Sequence, residues 1–435
     1  MWIIELVVVL FFIWLGARMG SIGIGFAGGF GVVVLGLVFG LKPGSIPTDV
    51  ILIIMAVIAA IAAMQEAGGL DYMVHLAEKV LKSNPKYITF LAPLVTYVMT
   101  MFAGTGHTAF STLPVIAEVA KREGIRPSRP LAIATVASQI AITASPISAA
   151  VVFFSGELEK VGVDYVQLLL ISIPSSFIAV MLGAFVTNFL GKDLKDDPIY
   201  QERLAKGLIK TTPAERQKKE IPSAAKLSVL IFGIAIIGVV FYATAISDTI
   251  GLIKEPVLAR DHAIISFMLA AATLITIFCK VETKNILNAS TFKSGMSACI
   301  CVLGVAWLGT TFVANHLDQI NVFAGSLLES KPWLLAVVLF FAAMLLYSQA
   351  ATTKALMPAA LALGISPVAA IASFAAVSAL FVLPTYPSLL AAVEFDDTGS
   401  TRIGKYVFDH PFLIPGTLTI TFAVILGFLF GGIVL

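Results

Sequence analysis

Residues 69–85, GLDYMVHLAEKVLKSNP, return 247 positions later, without a gap, as residues 316–332, HLDQINVFAGSLLESKP, with six identities in seventeen. The order of events beyond each copy is shared as well. Pro85 leads to Pro114 and then Pro146, while Pro332 leads to Pro358 and then the pair Pro384 and Pro387. Each copy thus sets two apolar arms around a short polar break and follows them with an apolar segment interrupted by proline. In a chain this apolar, a duplication with matched breaks in corresponding segments is the pattern of a secondary transporter, and the breaks point to its binding site.

The 435 residues are 58% hydrophobic and 12% charged, with a mean hydropathy of +0.97, which leaves too little polar surface for a water-soluble chain of this length. The chain is therefore expected to lie in a lipid bilayer along most of its length. Its 28 basic and 26 acidic residues give no electrostatic footprint for nucleic acid, which is excluded as a partner. Cys279, Cys299 and Cys301 sit in or beside apolar runs, so packing is expected of them and neither a disulfide framework nor a zinc site. Glu5 precedes and Arg18 follows the first apolar run, the reverse of a signal peptide, and the run reads as a retained first span.

About 20 apolar residues cross a hydrocarbon core of about 30 Å. Ten segments qualify, near residues 2–17, 21–40, 49–66, 131–156, 165–189, 227–245, 262–279, 292–313, 367–394 and 409–433. Residues 87–120 and 333–364 are instead split into arms of about 12–17 residues, roughly 18–25 Å of helix each, too short to span comfortably. Both are expected as re-entrant helical hairpins, with tips AGTGHTAF (103–110) and YSQAATTKAL (347–356). Placing the N-terminus outside puts 22 of the 28 Lys and Arg residues on the cytoplasmic face, as the positive-inside rule requires. Both termini then fall in the periplasm, the central loop in the cytoplasm, and the two hairpins enter from opposite sides.

The expected fold is an all-α polytopic membrane protein of two inverted repeats of five spans. Residues 1–190 form the first repeat, with hairpin 87–120 and broken helix 131–156, and residues 227–435 the second, with hairpin 333–364 and broken helix 367–394. The charged stretch 191–226 is the cytoplasmic linker, and segments 70–84 and 317–331 read as amphipathic helices at opposite interfaces. The small-residue run GIGIGFAGGFG (22–32) favours close helix contact, inside the chain or in a homodimer.

Irregular backbone survives at membrane depth only where it is buried in protein or lines a watery cavity. Four breaks fit: the two tips, TASPISA (143–149) and LPTYPSL (383–389). Each starts a new half-helix, whose free N–H groups and positive dipole end attract anions, so four together make an anion site. The candidate binding residues are Thr105, Gly106, His107 and Thr108 in the first tip, and Ser145, Pro146 and Ser148 in the first broken span. The second copy supplies Thr352, Thr353 and Lys354, then Pro384, Thr385 and Ser388. A lysine at membrane depth is costly unless partnered, and an anionic substrate is one partner for Lys354, a buried acid or snorkelling being the alternatives. His107 suits a carboxylate or a proton. Glu118 and Glu394, the acids at membrane depth, suit proton coupling or local pairing. Nucleophile–base pairs, metal clusters, HExxH and GxxxxGK[ST] are all missing, so an enzyme, a metal site and a cofactor are not expected, and duplicated broken helices suit a gated site better than a channel.

The stretches MFAGTGH near the first tip, SQIAITASPISAAVV (138–152), SQAATTKALMPAALALGISP (348–367), LPTYPSLLAAVEFDDTGSTRIGK (383–405) and NPKYITFLAP (84–93) resemble the anaerobic C4-dicarboxylate transporters, the Dcu family, and its DcuA-type members most closely. The similarity runs over essentially the whole chain. It implies exchange of four-carbon dicarboxylates across a bacterial inner membrane, with uptake of aspartate, fumarate or malate against succinate. It also implies kinship with the ion-transporter superfamily, with paired hairpins, unwound helices and an elevator-like moving part. Sodium-coupled relatives bind ions beside such tips, and Lys354 stands in one tip here, which suggests a fixed charge in place of one coupling ion. The alternative is a sodium- or proton-coupled uptake carrier for dicarboxylates or acidic amino acids.

Overall fold

Where apolar runs meet prolines, glycines and capping hydroxyls, the chain turns. The computed structural model describes residues 2–19, 22–46, 48–106, 109–209, 222–246, 252–384, 386–406 and 408–435. The first half contains α1 (Trp2–Met19), α2 (Gly23–Leu37), α3 (Thr48–Glu66), α4 (Gly69–Ser83), α5 (Ile88–Ala103), α6 (Ala109–Arg122), α7 (Ser128–Ile140), α8 (Ala149–Glu159) and α9 (Tyr165–Thr187). A short α10 (Pro198–Ala205) follows in the linker. The second half contains α11 (Ser223–Ala245), α12 (Arg260–Phe278), α13 (Thr283–Ile286), α14 (Ser290–Ser330), α15 (Leu334–Leu346), α16 (Gln349–Ala362), α17 (Pro367–Ser373), α18 (Pro387–Phe395) and α19 (Leu413–Val434). No strand occurs among the described residues.

Local chemistry sets these boundaries. Asp164 and Gln167 form a reciprocal capping box at the start of α9, and Ser148, Ser348 and Ser366 each accept a backbone N–H as the caps of α8, α16 and α17. Gly104 ends α5 in the left-handed region, φ 65°, which a residue without a Cβ adopts freely.

All ten apolar segments are helical in whole or in part, but helix lengths differ from expectation in two places. Among the described residues, seven helices are long and apolar enough to cross a membrane, or eight if the pair Ile51–Glu66 and Gly69–Ser83, bent by 76°, counts as one span. One of the seven is Pro85–Ala103, expected as a short hairpin arm, because a 3₁₀ turn at Pro85–Tyr87 extends α5 to 19 residues. The second broken span unwinds earlier than its prolines suggest. α17 is seven residues long and passes into a 3₁₀ run, Phe374–Phe381, with Ala379 outside helical geometry. The expected span 292–313 and the segment 317–331 meet at His316, where φ −127° and ψ 18° are not helical, so α14 is two helices joined across a kink.

The apolar side chains sort into one central body and two flanks. The centre joins both hairpins, both broken spans, α9 and α19 around Leu113, Leu131, Phe154, Tyr165, Phe374, Phe381 and Phe412, and the Phe154 and Phe374 rings meet at 4.7 Å. One flank packs α3 on α11 and α12 through Ile61, Met64, Phe232, Ile264 and Met268. The other packs α1 and α2 on α14 through Phe12, Leu35, Leu308 and Phe312. Each flank therefore combines helices from both halves of the chain. The GIGIGFAGGFG run is internal: Gly25 and Gly28 lie on the α14 backbone, and a Cβ on Gly304 would collide with the Gly25 carbonyl.

Candidate functional site

The site grows from the end of α7, which is buried along nearly its whole length and runs into the 3₁₀ turn Ala141–Ala144. There the Gln139 carbonyl accepts two hydrogen bonds from the other half of the chain. Gln349 Nε2, in the first turn of α16, donates at 3.2 Å, and Ser378 Oγ, in the unwound run 374–381, donates at 3.1 Å. The Gln139 side chain points elsewhere, its Nε2 reaching Ser388 Oγ near the start of α18 at 3.5 Å. The first tip closes the group. Gly106 faces the Ser138 carbonyl so nearly that a Cβ would sit 3.3 Å from it, and a Cβ on Gly104 would sit 3.0 Å from the Ile147 side chain. All four breaks thus meet around one residue of α7.

Four helix starts border this point: those of α6, α8, α16 and α18. Each presents backbone N–H groups without an intrahelical partner and the positive end of its dipole, a setting that favours carboxylates. Ser148 and Ser348 have already satisfied one N–H each as caps, through Val151 and Ala351 at 3.2 Å.

The sequence-expected residues fall into three groups. Ser145, Ser148 and Ser388 are buried at the breaks, and the Pro146 carbonyl there accepts the Tyr165 hydroxyl. Thr105 and Gly106 are half-buried in the first tip, and Pro384 is buried before α18. Thr352 and Thr353, on α16, turn their hydroxyls back onto the Ser348 and Gln349 carbonyls at 2.8 and 2.7 Å. Lys354 stands apart from the Gln139 group, with its ammonium 5.0 Å from the Phe153 ring centre on α8 and with Asp49 and Glu157 as its acidic neighbours in electrostatic range. His107, Thr108 and Thr385 lie outside the described residues. Glu118 is half-buried in α6 and Glu394 is exposed in α18.

Sequence reasoning missed Gln139, Gln349 and Ser378. A signal was present for two of them, since Ser138-Gln139 and Ser348-Gln349 are the same dipeptide, each beside a break. It missed the aromatic join as well, the Tyr347 and Tyr386 rings stacking at 6.1 Å between the second tip and the cap of α18. Two atoms in the group are sealed from solvent with no hydrogen-bond partner among the described residues: Gln139 Oε1 and Ser145 Oγ. Their residues are 1% and 0% exposed. Buried polar atoms are rarely left so, and in a binding site a ligand is the usual remaining partner.

No group of three or more His, Cys, Asp or Glu residues positioned for a metal occurs among the described residues. The arrangement offers hydroxyls, amides and helix starts, which hold anions without transforming them.

Comparison with known proteins agrees with this chemistry. The chain resembles the YdaH transporter of Alcanivorax borkumensis in fold, with a TM-score of 0.58 over 99% of this chain and 97% of that one, at 16% identity. It is 66% identical to the C4-dicarboxylate transporter DcuA of Wolinella succinogenes over 435 residues, and 60% identical to that of Escherichia coli K12 over 436, in both cases across 100% of each protein. The anaerobic C4-dicarboxylate transporter DcuB of Escherichia coli O6:H1 is 38% identical over 98% of each chain. The family described as an anaerobic C4-dicarboxylate membrane transporter matches residues 1–435. A chain matched from end to end, and two-thirds identical to a curated relative, belongs to the anaerobic C4-dicarboxylate membrane transporter family.

Proposed function

We propose that this protein exchanges four-carbon dicarboxylates across the bacterial inner membrane, taking up aspartate, fumarate or malate while releasing succinate. The observation that carries the reading is the meeting of four helix breaks at Gln139, where the starts of new helices offer backbone N–H groups. A dicarboxylate has two anionic ends, and helix starts drawn from both halves of the chain offer each end its own donors. Lys354 adds a fixed positive charge on the α8 side, in the role a coupling cation plays elsewhere. The repeats run in opposite senses, both termini lie in the periplasm, and the linker lies in the cytoplasm, as the Lys and Arg distribution favours.

Alternating access is proposed to move the central body against the flanks, in elevator fashion. Two facts support that division. Most apolar side chains around the breaks pack in the central body, with Ala103 and Ile147 packed on the α3–α11–α12 flank, and each flank has an apolar core of its own. Arg260, at the start of α12 in a flank, reaches across to the body. It pairs with Glu159 of α8 and lies over the Tyr165 ring of α9 at 5.3 Å. The Tyr165 hydroxyl in turn holds the Pro146 carbonyl in the first break, so a movement at this seam is transmitted to the site.

Counterflow tests the reading. Labelled aspartate is offered to proteoliposomes preloaded with succinate, or empty, with sodium and pH gradients imposed separately. Uptake that requires internal succinate and ignores both gradients is expected. Uptake into empty vesicles that follows a sodium or proton gradient would replace exchange with coupled transport.

A further inference from the structure

We propose that Gln139 and Ser145 bind the substrate, and that their polar atoms, left without partners when the site closes empty, are what makes exchange obligatory. The inference rests on the exchange reading above and adds to it a physical reason why the empty carrier does not cross.

An exchanger differs from a uniporter in one step: the empty form must fail to reorient. The packing around the breaks supplies an obstacle to closing without substrate. Gln139 Oε1 and Ser145 Oγ are both shut off from water and have no partner among the described residues. A buried polar atom left unpaired disfavours the state that contains it by roughly 5- to 150-fold, the factor equivalent to about 1–3 kcal/mol. Two such atoms lower the population of the closed empty form by the product of their factors, if they act independently.

A bound dicarboxylate removes both penalties. The Ser145 hydroxyl donates to a carboxylate oxygen. The Gln139 amide is adaptable, because its present neighbour, Ser388 Oγ at 3.5 Å, both donates and accepts. With Oε1 toward the substrate, the amide accepts from the ammonium of aspartate or the hydroxyl of malate. Turned over, Oε1 takes the Ser388 proton and Nε2 donates to a carboxylate, which serves fumarate and succinate. One residue therefore satisfies every substrate of the exchange, while closure without substrate leaves one of the two Gln139 amide atoms and the Ser145 hydroxyl unpaired in either orientation. The backbone of Gln139 is the anchor for this closed form, since its carbonyl ties in Gln349 of the second tip and Ser378 of the second broken span.

The prediction runs against the usual effect of altering a binding residue. Ser145→Ala deletes an unpaired hydroxyl and little else, and Gln139→Leu replaces the amide by an apolar group of similar size. Replacing buried unpaired atoms by apolar ones of like shape is neutral or stabilising. Both variants are expected to close empty more readily and so to leak.

Wild type, each single variant and the double variant are reconstituted, and two fluxes are measured for each: exchange against internal succinate, and net aspartate uptake into empty vesicles with charge compensation. The expected result is a ratio of net flux to exchange flux at least about 10-fold above wild type in each single variant and higher in the double, with substrate-free thermal unfolding of Ser145→Ala no earlier than wild type. Variants that still require internal succinate, with the ratio unchanged, overturn the inference. So does a substrate-free melting point that falls in Ser145→Ala, because it would mean that this hydroxyl has a partner in the closed form; Gln139→Leu also gives up the Ser388 contact and is judged by the flux ratio alone. Wild type that already moves aspartate into empty vesicles as fast as it exchanges overturns the exchange reading itself, a result separable from the other two.

Discussion

Lys354 and Gln139 carry different shares of one task. The ammonium lies six residues beyond the Ser348 cap and over the Phe153 ring, whereas Gln139 stands where the breaks meet. Lys354→Ala is expected to lower dicarboxylate exchange by at least about 30-fold, the equivalent of about 2 kcal/mol for removing one member of a buried charge interaction. Exchange kinetics in liposomes that match wild type would remove Lys354 from the mechanism. At this scale the sequence was partly legible. The serines of the breaks and Lys354 stand out in an apolar chain because polar residues there are costly. Gln139 did not, because it lies inside the helical run of α7, six residues before Ser145, and only the pairing of distant segments brings Gln349, Ser378 and Ser388 to it.

Elements are held in place by contacts that local sequence hints at without specifying. The Gly25–Gly304 approach seats α2 on α14 with no side chain between the backbones. Gly304→Val is therefore expected to destabilise the protein by about 1–3 kcal/mol or more, read as earlier thermal unfolding in detergent, because the obstruction is backbone and cannot change rotamer. The run of glycines announced close packing, but its partner, 275 or so positions away, came only with the fold. Beside the start of α19, His410 is buried and its Nε2 faces the Val382 carbonyl at 3.1 Å, which fastens the last loop to the second broken span. Burial pushes this imidazole below the ordinary histidine range, with the Val382 carbonyl and Asp409 opposing. The unfolded chain accordingly takes up a proton more readily than the folded one. The stability His410 contributes is thus complete above about pH 6.5, the unfolded value, and is lost as pH falls through the lower folded value. His410→Gln should flatten the acid side of a melting-temperature profile in that window; an unaltered slope would assign the acid loss to other groups.

Across the whole molecule, composition made the all-helical architecture of a membrane transporter legible. The 3₁₀ run of residues 374–381 was not legible, because Ala, Val, Leu and Phe suit α and 3₁₀ geometry alike and tertiary packing decides between them. Movement of the central body past the flanks is testable at the Arg260–Glu159 seam. With Cys279, Cys299 and Cys301 replaced, a short bifunctional thiol reagent joining Glu159→Cys to Arg260→Cys should stop exchange, while the same reagent on either single variant leaves it running. Continued exchange in the joined protein would show that the two parts turn over without parting there. The crossed arrangement of the flanks, α1 and α2 on α14 and α11 and α12 on α3, bears on how the chain is made. Neither half owns its interior: ribosomal synthesis of residues 1–209 alone yields a fragment whose α3 faces a missing neighbour. The two fragments on either side of residues 210–221, produced from separate messages in one cell, are then expected to find each other and restore transport that neither supports by itself, a complementation in which the membrane takes the place of the peptide link.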